Sequence, residues 1–111
     1  MKKTEISTFL EIDISRGNSV DRTLYLAVIL QALLDATKPA YTGEPEMSEH
    51  DRDRAKAWFF ASVGVTAHDF QTVCENAGID PSYLRGFAFK VLESKEIEYV
   101  RKRINAILTH S

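Results

Sequence analysis

The sequence predicts an all-α fold of about five helices, because apolar residues recur with a helical period from residue 20 almost to the end. Proline and glycine divide these stretches at intervals typical of short helices. A chain of 111 residues, with 44% apolar and 27% charged residues, can bury one core and has the composition of a folded protein. We therefore expect an N-terminal arm, residues 1–17, and a single helical domain, residues 18–111.

The N-terminal arm carries two overlapping patterns. Leu10, Ile12 and Ile14 alternate with acidic residues, which is the period of a half-buried strand. Ile6, Phe9 and Leu10 would equally share one face of a helix. Since no second strand is apparent in the sequence, we expect either a short strand that pairs across a dimer or an arm that packs its apolar residues on the core.

The first helix is predicted over residues 20–36. Asn18 or Ser19 can cap its start, and Pro39 prevents it from continuing, because proline lacks an amide hydrogen. Between its ends, the run 24–30 is apolar on every side. Such a helix lies either at the centre of a core or against a second chain.

The second helix is predicted over residues 49–61, after a loop that contains two prolines and a glycine. Ser48 and Asp51 have the spacing of a capping box at its start. Its far end supplies a large apolar surface, which we expect to face the core. This surface consists of Ala55, Trp58, Phe59 and Phe60.

A helix-turn-helix is predicted near residues 67–93. Thr66 and Asp69 have the spacing of a capping box for its first helix. Gly78 suits a left-handed turn, and Asp80, followed by a proline, suits the cap of the second helix. Two helices that meet at a sharp angle need apolar or small residues where they touch, and each of these slots is filled. The slot residues are Val73, Cys74, Ala77, Ile79, Leu84 and Phe87.

The last helix is predicted over residues 95–109, with Ser94 as its cap. Apolar residues repeat in it at intervals of three, four and three, which resembles two short heptads of a coiled coil. We expect a homodimer with either this stripe or the first helix at its interface. The alternative is that these surfaces pack on each other in a monomer. The stripe consists of Ile97, Val100, Ile104 and Ile107.

Charge is distributed unevenly along the chain. The net charge is −2, but residues 1–80 hold 8 basic against 13 acidic residues, whereas residues 81–111 hold 6 basic against 3 acidic residues. Any attraction for an anionic partner therefore lies in the last third. The longest apolar run is far shorter than the roughly 20 residues needed to cross a bilayer, and the single cysteine fits a reducing compartment. We expect a cytoplasmic protein with no membrane partner.

Groups that could converge for catalysis are not apparent in the sequence. His50, His68 and His110 are far apart, and Cys74 is predicted in the core, where a thiol is inert. The glycines are scattered rather than gathered in a phosphate-binding loop, and no metal-ligand spacing is present. We therefore predict no enzymatic activity, no cofactor and no metal site.

The helix-turn-helix has residues suited to contact with DNA. In DNA-binding versions of the motif, exposed residues at the start of the second helix reach base edges in the major groove. Arg85 suits bidentate contact with guanine, and Ser82 or Tyr83 could bond a base or a phosphate, with Phe89 one turn further on. Further basic residues could contact the phosphate backbone and make binding sensitive to salt. These are Lys90, Lys95, Arg101, Lys102 and Arg103.

Three segments give the chain a resemblance to a known family. They are 27–35 (AVILQALLD), 54–65 (RAKAWFFASVGV) and 73–80 (VCENAGID). In these segments the chain resembles a family of small, uncharacterised proteins encoded by tailed bacteriophages, with a helix-turn-helix-like core. The resemblance implies a phage or prophage origin and expression in the cytoplasm of a bacterial host cell.

Two functions follow as hypotheses. The first is a small phage-type protein that binds double-stranded DNA as a dimer, either as a transcription regulator or as a DNA-packaging accessory. The second is a module that binds a host protein, for example RNA polymerase, without binding DNA. Its contact surface would be the helix-turn-helix or the acidic stretch 44–53. The filled slots of the motif favour DNA, whereas the acidic balance of the chain favours a protein partner.

Overall fold

The computed structural model describes residues 20–109, with side chains from residue 22 onward, and the predicted arm over residues 1–17 lies outside this range. Within the described residues the chain forms five helices and no strand, which confirms the all-α prediction. None of these helices is both long and apolar enough to cross a membrane. The helices are α1 (Val20–Ala36), α2 (Glu46–Phe60), α3 (Gly64–Ala77), α4 (Pro81–Glu93) and α5 (Ile97–Thr109).

Helix α1 is the central element of the core and has the predicted bounds. It packs against α2, α3 and α5, and these three helices cover most of its apolar surface. Its remaining side, which carries Leu24 and Val28, is exposed. Its buried residues are Leu26, Ile29, Leu30, Leu33, Leu34 and Ala36.

Helices α2 and α3 each begin about one turn earlier than predicted. The residue before α2 is Pro45 and the residue before α3 is Val63, and neither side chain makes a capping hydrogen bond. The two predicted capping boxes are wrong, because Ser48 and Thr66 lie inside these helices and not at their caps, and the carboxylates of the boxes make other contacts. Asp51 Oδ2 lies 3.6 Å from Lys38 Nζ, and Asp69 Oδ2 accepts a 2.7 Å hydrogen bond from Trp58 Nε1.

Helices α3 and α4, with the turn between them, occupy the predicted helix-turn-helix. Gly78 has a φ of 74°, in the left-handed region that glycine adopts most readily. Asp80 Oδ2 accepts a 2.8 Å hydrogen bond from the backbone N–H of Tyr83, so it caps α4 as predicted. All six residues predicted for the internal slots are buried. They are Val73, Cys74, Ala77, Ile79, Leu84 and Phe87.

Helix α5 packs its apolar stripe on the chain itself. The helix lies against α1 and α4, and its Val100 and Ile104 are fully buried. Ile107 is half-buried against the same core, and Ile97 is also half-buried. The prediction of a dimer interface is therefore corrected for Val100 and Ile104, because a side chain covered by its own chain offers no surface to a second copy.

Candidate interaction surface

Arg85, the residue predicted to read guanine, is half-buried and bonds another helix of the same chain. Its Nε donates a 2.9 Å hydrogen bond to the backbone carbonyl of Phe59, and its guanidinium carbon lies 5.1 Å from the centre of the Phe70 ring. The Phe59 carbonyl belongs to the last turn of α2, where carbonyls lack partners within the helix and concentrate negative charge. Arg85 therefore joins α4 to the end of α2 through its Nε, while it also lines an open depression, and the base contact stays a prediction.

Arg101, predicted to contact a phosphate, bonds the C-terminal end of another helix. Its Nη1 donates hydrogen bonds to the backbone carbonyl of Leu34 and to Thr37 Oγ1, at the C-terminal end of α1. The last turns of α1 and α2 contain no basic residue of their own. Arginines from α4 and α5 therefore supply the positive charge and the hydrogen-bond donors that these two helix ends need.

The other residues predicted to contact DNA differ in exposure and position. Ser82, Tyr83 and Phe89 are exposed on α4, whereas Arg103 on α5 is half-buried. Ser82 and Phe89 line one depression, but the residues predicted for phosphate contact are spread from α4 to α5. Three lysines among them are exposed: Lys90, Lys95 and Lys102.

The exposed side of α4 carries an apolar surface, which we call the outer surface. It is formed by Phe60 at the end of α2 and by Ser82, Gly86 and Phe89 on α4, which line an open depression together with Arg85. Phe89 is 58% exposed and Phe60 is 36% exposed. The prediction that Phe60 faces the core is therefore wrong.

A second depression shares the two phenylalanine rings of the outer surface. Phe60 and Phe89 line both depressions, so apolar surface continues from one to the other. Further lining residues combine apolar side chains with charges of both signs. They include Lys38, Lys56, Leu92, Glu93, Ile97 and Glu98.

The helical period explains why these residues face outward. On α4, residues 82, 86 and 89 are spaced by four and three, and they lie on the side opposite the buried Leu84 and Val91. Gly86 leaves a notch, because a Cβ built there would meet no described atom within 4 Å. A glycine inside a predicted helix and a phenylalanine just after the buried Phe59 were the sequence signals for this surface. Sequence reasoning did not use them.

The thiol of Cys74 is placed for packing. It is fully buried in α3, and burial raises its pKa to about 11, because the apolar surroundings disfavour the charged thiolate. Within residues 20–109, no three His, Cys, Asp or Glu side chains gather where they could hold a metal ion. The chemistry that the described side chains offer at the outer surface is therefore contact through apolar rings and a polar rim.

Comparisons of the chain with protein-family models, curated proteins and solved structures find no match. The resemblance to proteins of tailed bacteriophages stays a prediction. A functional proposal must therefore start from the residues of the outer surface and their surroundings.

Proposed function

We propose that the protein is a binding module that contacts another protein through the outer surface of α4. The observation that carries the proposal is Phe89, whose ring is 58% exposed beside Phe60 and the notch at Gly86. An exposed aromatic ring next to a concave notch is typical of the central contacts of protein interfaces, where aromatic side chains provide much of the binding energy. The resemblance to phage proteins makes a protein of the bacterial host cell the expected partner.

The surroundings of the outer surface support a protein partner. The adjoining depression is bordered by Lys38, Lys56, Glu93 and Glu98, so charges of both signs lie near the apolar rings. An apolar centre with a mixed polar rim matches the anatomy of transient protein interfaces. The net charge of −2 gives the chain little long-range attraction for a polyanion.

Double-stranded DNA is the second candidate, and the helix-turn-helix favours it. Asp80 caps α4 after a tight glycine turn, and Ser82 and Tyr83 are exposed in its first turn, where DNA-binding versions contact bases. Lys90 lies further along the same helix and is exposed. DNA binding would rest mainly on these residues, because the Nε of Arg85 bonds the Phe59 carbonyl.

One set of variants separates the two candidates. Phe89→Asp removes the apolar ring, Lys90→Gln removes a positive charge on the same helix, and Val65→Asp is the matched control. Val65 is 87% exposed on α3, so its replacement introduces the same charge at another exposed apolar position. Circular dichroism establishes that each variant is folded.

For a protein partner, the purified chain is immobilised and exposed to bacterial lysate, and captured proteins are identified by mass spectrometry. We expect at least one protein that binds wild type, Lys90→Gln and Val65→Asp but not Phe89→Asp. Its affinity is then measured with purified components, and we expect Phe89→Asp to weaken it at least 30-fold, which corresponds to about 2 kcal/mol.

For DNA, the same proteins are titrated against labelled genomic fragments by fluorescence anisotropy at low and moderate salt. The DNA candidate requires binding that falls steeply with salt and weakens in Lys90→Gln. Salt-dependent binding of this kind, together with no capture that depends on Phe89, would replace the protein-partner proposal with the DNA candidate.

A further inference from the structure

A groove between α1 and α2 is separate from the outer surface and shares no residue with it. Its apolar lining includes Leu24, Val28 and Ala32 from α1, Trp58 from α2 and Leu108 from α5. Leu24 is 61% exposed and Val28 is 43% exposed. Two large aliphatic side chains one helix turn apart therefore face solvent beside the only tryptophan of the chain.

The groove is apolar at one end and charged at the other, where Asp35 is the carboxylate without a described ion pair. Leu24 lies near the start of α1, and Asp35 lies at its end, about 16 Å away at the rise of an α-helix. Asp51 of α2 lies at the same end as Asp35, because it lies 3.6 Å from Lys38, just beyond α1. Asp35 accepts a hydrogen bond from the neutral amide of Gln31. Both carboxylates line the groove, and so does Arg54 of α2.

We propose that residues 1–15 of the same chain bind in this groove. The segment joins α1 at Val20, about one turn before the exposed Leu24. Between them, the sequence Arg16–Gly17–Asn18 has the residue types with which a chain reverses direction. A segment that turns back there follows α1 from Leu24 towards Asp35.

The order of residues in the segment matches the order of the groove. Read back from the turn, its apolar residues come first, with two acidic residues among them, and its basic residues, Lys2 and Lys3, come last, after Glu5. The apolar residues therefore meet Leu24 and Val28, and the lysines meet Asp35. The apolar residues of the segment are Ile6, Phe9, Leu10, Ile12 and Ile14.

The length of the segment also matches. Lys3 and Ile14 are eleven positions apart in the sequence, and so are Leu24 and Asp35. A helical segment therefore matches the distance from Leu24 to Asp35, whereas an extended one would carry Lys3 well past Asp35, since an extended chain covers more than twice the distance per residue. Attachment to α1 gives it an effective concentration on the order of millimolar, which a separate partner must exceed.

The single tryptophan makes the proposal testable in the intact chain. Quenching of Trp58 fluorescence by acrylamide is measured for wild type, for Phe9→Asp in the segment and for the matched control Val65→Asp. We expect Phe9→Asp to increase the quenching constant about twofold, because Trp58 lines the groove that the segment leaves. Val65→Asp should leave it unchanged. An unchanged constant in a folded Phe9→Asp variant overturns the proposal.

A charge exchange provides a second test that needs no apolar residue to be replaced. Lys3→Glu should increase the quenching constant, and the combination of Lys3→Glu with Asp35→Lys should return it towards the wild-type value. If adding Asp35→Lys to Lys3→Glu left the quenching constant high, the proposed pairing of Lys3 with Asp35 would be overturned.

The mass of the protein in solution shows whether the segment in the groove belongs to the same chain or to a second copy. Light scattering should give the mass of one chain, about 12.6 kDa, for wild type and Phe9→Asp alike. A wild-type dimer that dissociates on Phe9→Asp would overturn binding within one chain and assign the groove to the segment of a second copy.

Discussion

The two sides of α4 have opposite roles although they belong to the same thirteen residues. On the inner side, Leu84 and Val91 are fully buried, and at the edge between the two sides Arg85 bonds the end of α2. On the outer side, Phe89 is exposed and Gly86 leaves a notch. A charged residue in a recognition-helix position can thus serve stability, while an apolar residue two turns into the same helix remains open to a partner.

A similar division applies to the basic residues of the second half of the chain. Arg85 and Arg101 donate to backbone carbonyls at the ends of α2 and α1, whereas Lys90 and Lys102 stay in solvent. Arginine suits the inward role because its planar guanidinium carries several donors and stays charged when it is partly buried. Lysine carries a compact, strongly hydrated charge.

The largest effect should come from the inner side. Leu84→Ala should lower the free energy of unfolding by about 2–5 kcal/mol, because it opens a cavity among fully buried side chains. Urea denaturation followed by circular dichroism measures this. A loss below 1 kcal/mol would mean that the two sides of α4 are less distinct than their burial indicates.

Arg85 provides a sharper test, because its role was predicted to lie on the outer side. Arg85→Ala should lower the free energy of unfolding by about 1–3 kcal/mol, since the Phe59 carbonyl loses a charged donor. Arg85→Lys keeps the charge but loses the Nε hydrogen bond and the planar contact with Phe70, so it should recover only part of this loss. If Arg85→Ala left stability unchanged and abolished DNA binding, Arg85 would belong to the outer side after all.

Asp80 should have an intermediate effect, because it stabilises the start of α4 without belonging to either side. Asp80→Ala removes the acceptor of the Tyr83 backbone N–H and should cost about 1 kcal/mol. Asp80→Asn keeps an oxygen at the same position and should retain most of the stability. Thermal unfolding of the two variants measured in parallel checks the assignment, which equal losses would contradict.

A pH-dependent effect extends the comparison to Arg52, a third arginine that is directed inward. Both its terminal nitrogens donate hydrogen bonds to Glu44, and these hold the pKa of the Glu44 carboxyl below its ordinary value. The native state thus favours the ionised carboxylate. Its contribution to stability is complete above the ordinary pKa of glutamate, about 4.3, and is lost as the pH falls through the lowered value.

The measurement is the free energy of unfolding of wild type and Glu44→Gln between pH 7 and pH 2. We expect the difference between the two proteins to be constant near neutral pH and to shrink below about pH 4. Glu46→Gln, which removes an exposed carboxylate nearby, is the control. A difference that grows with acidification would contradict the assignment.

The smallest effect on stability should come from the outer side. Phe89→Ala should change the free energy of unfolding by no more than about 0.5 kcal/mol, since the ring is 58% exposed. The same substitution should weaken the capture of a partner. A large loss of stability would show that Phe89 serves the fold and would remove the main support for the outer surface as a binding site.

Local patterns in the sequence were sufficient for much of the fold. Helix α1 and the helix-turn-helix slots follow from apolar periodicity, and Asp80 was identified as a cap from its position before a proline. The starts of α2 and α3 were missed, because the helices begin before Ser48 and Thr66, and Asp51 and Asp69 form tertiary contacts instead of caps. A capping motif in the sequence shows that a side chain is able to cap a helix at that position, but not that the helix begins there.

The candidate site was less predictable, since it depends on long-range contacts. The carbonyls that accept hydrogen bonds from Arg85 and Arg101 lie 26 and 67 residues away in the sequence. Spacing within one helix cannot reveal such acceptors. The last turns of α1 and α2 lack a basic residue, but those of α3 and α5 lack one too, so this feature does not single out the two ends that receive an arginine.

The buried thiol of Cys74 makes the separation of α3 from α4 measurable by chemical labelling. A thiol reagent at pH 8 reacts with the thiolate, and a pKa of about 11 and full burial together prevent that reaction in the closed protein. Because the chain has one cysteine, each modified molecule records a single opening event at the helix-turn-helix. The rate of labelling therefore reports how often α3 and α4 separate. A partner that binds across the outer surface should slow the labelling of the wild-type protein.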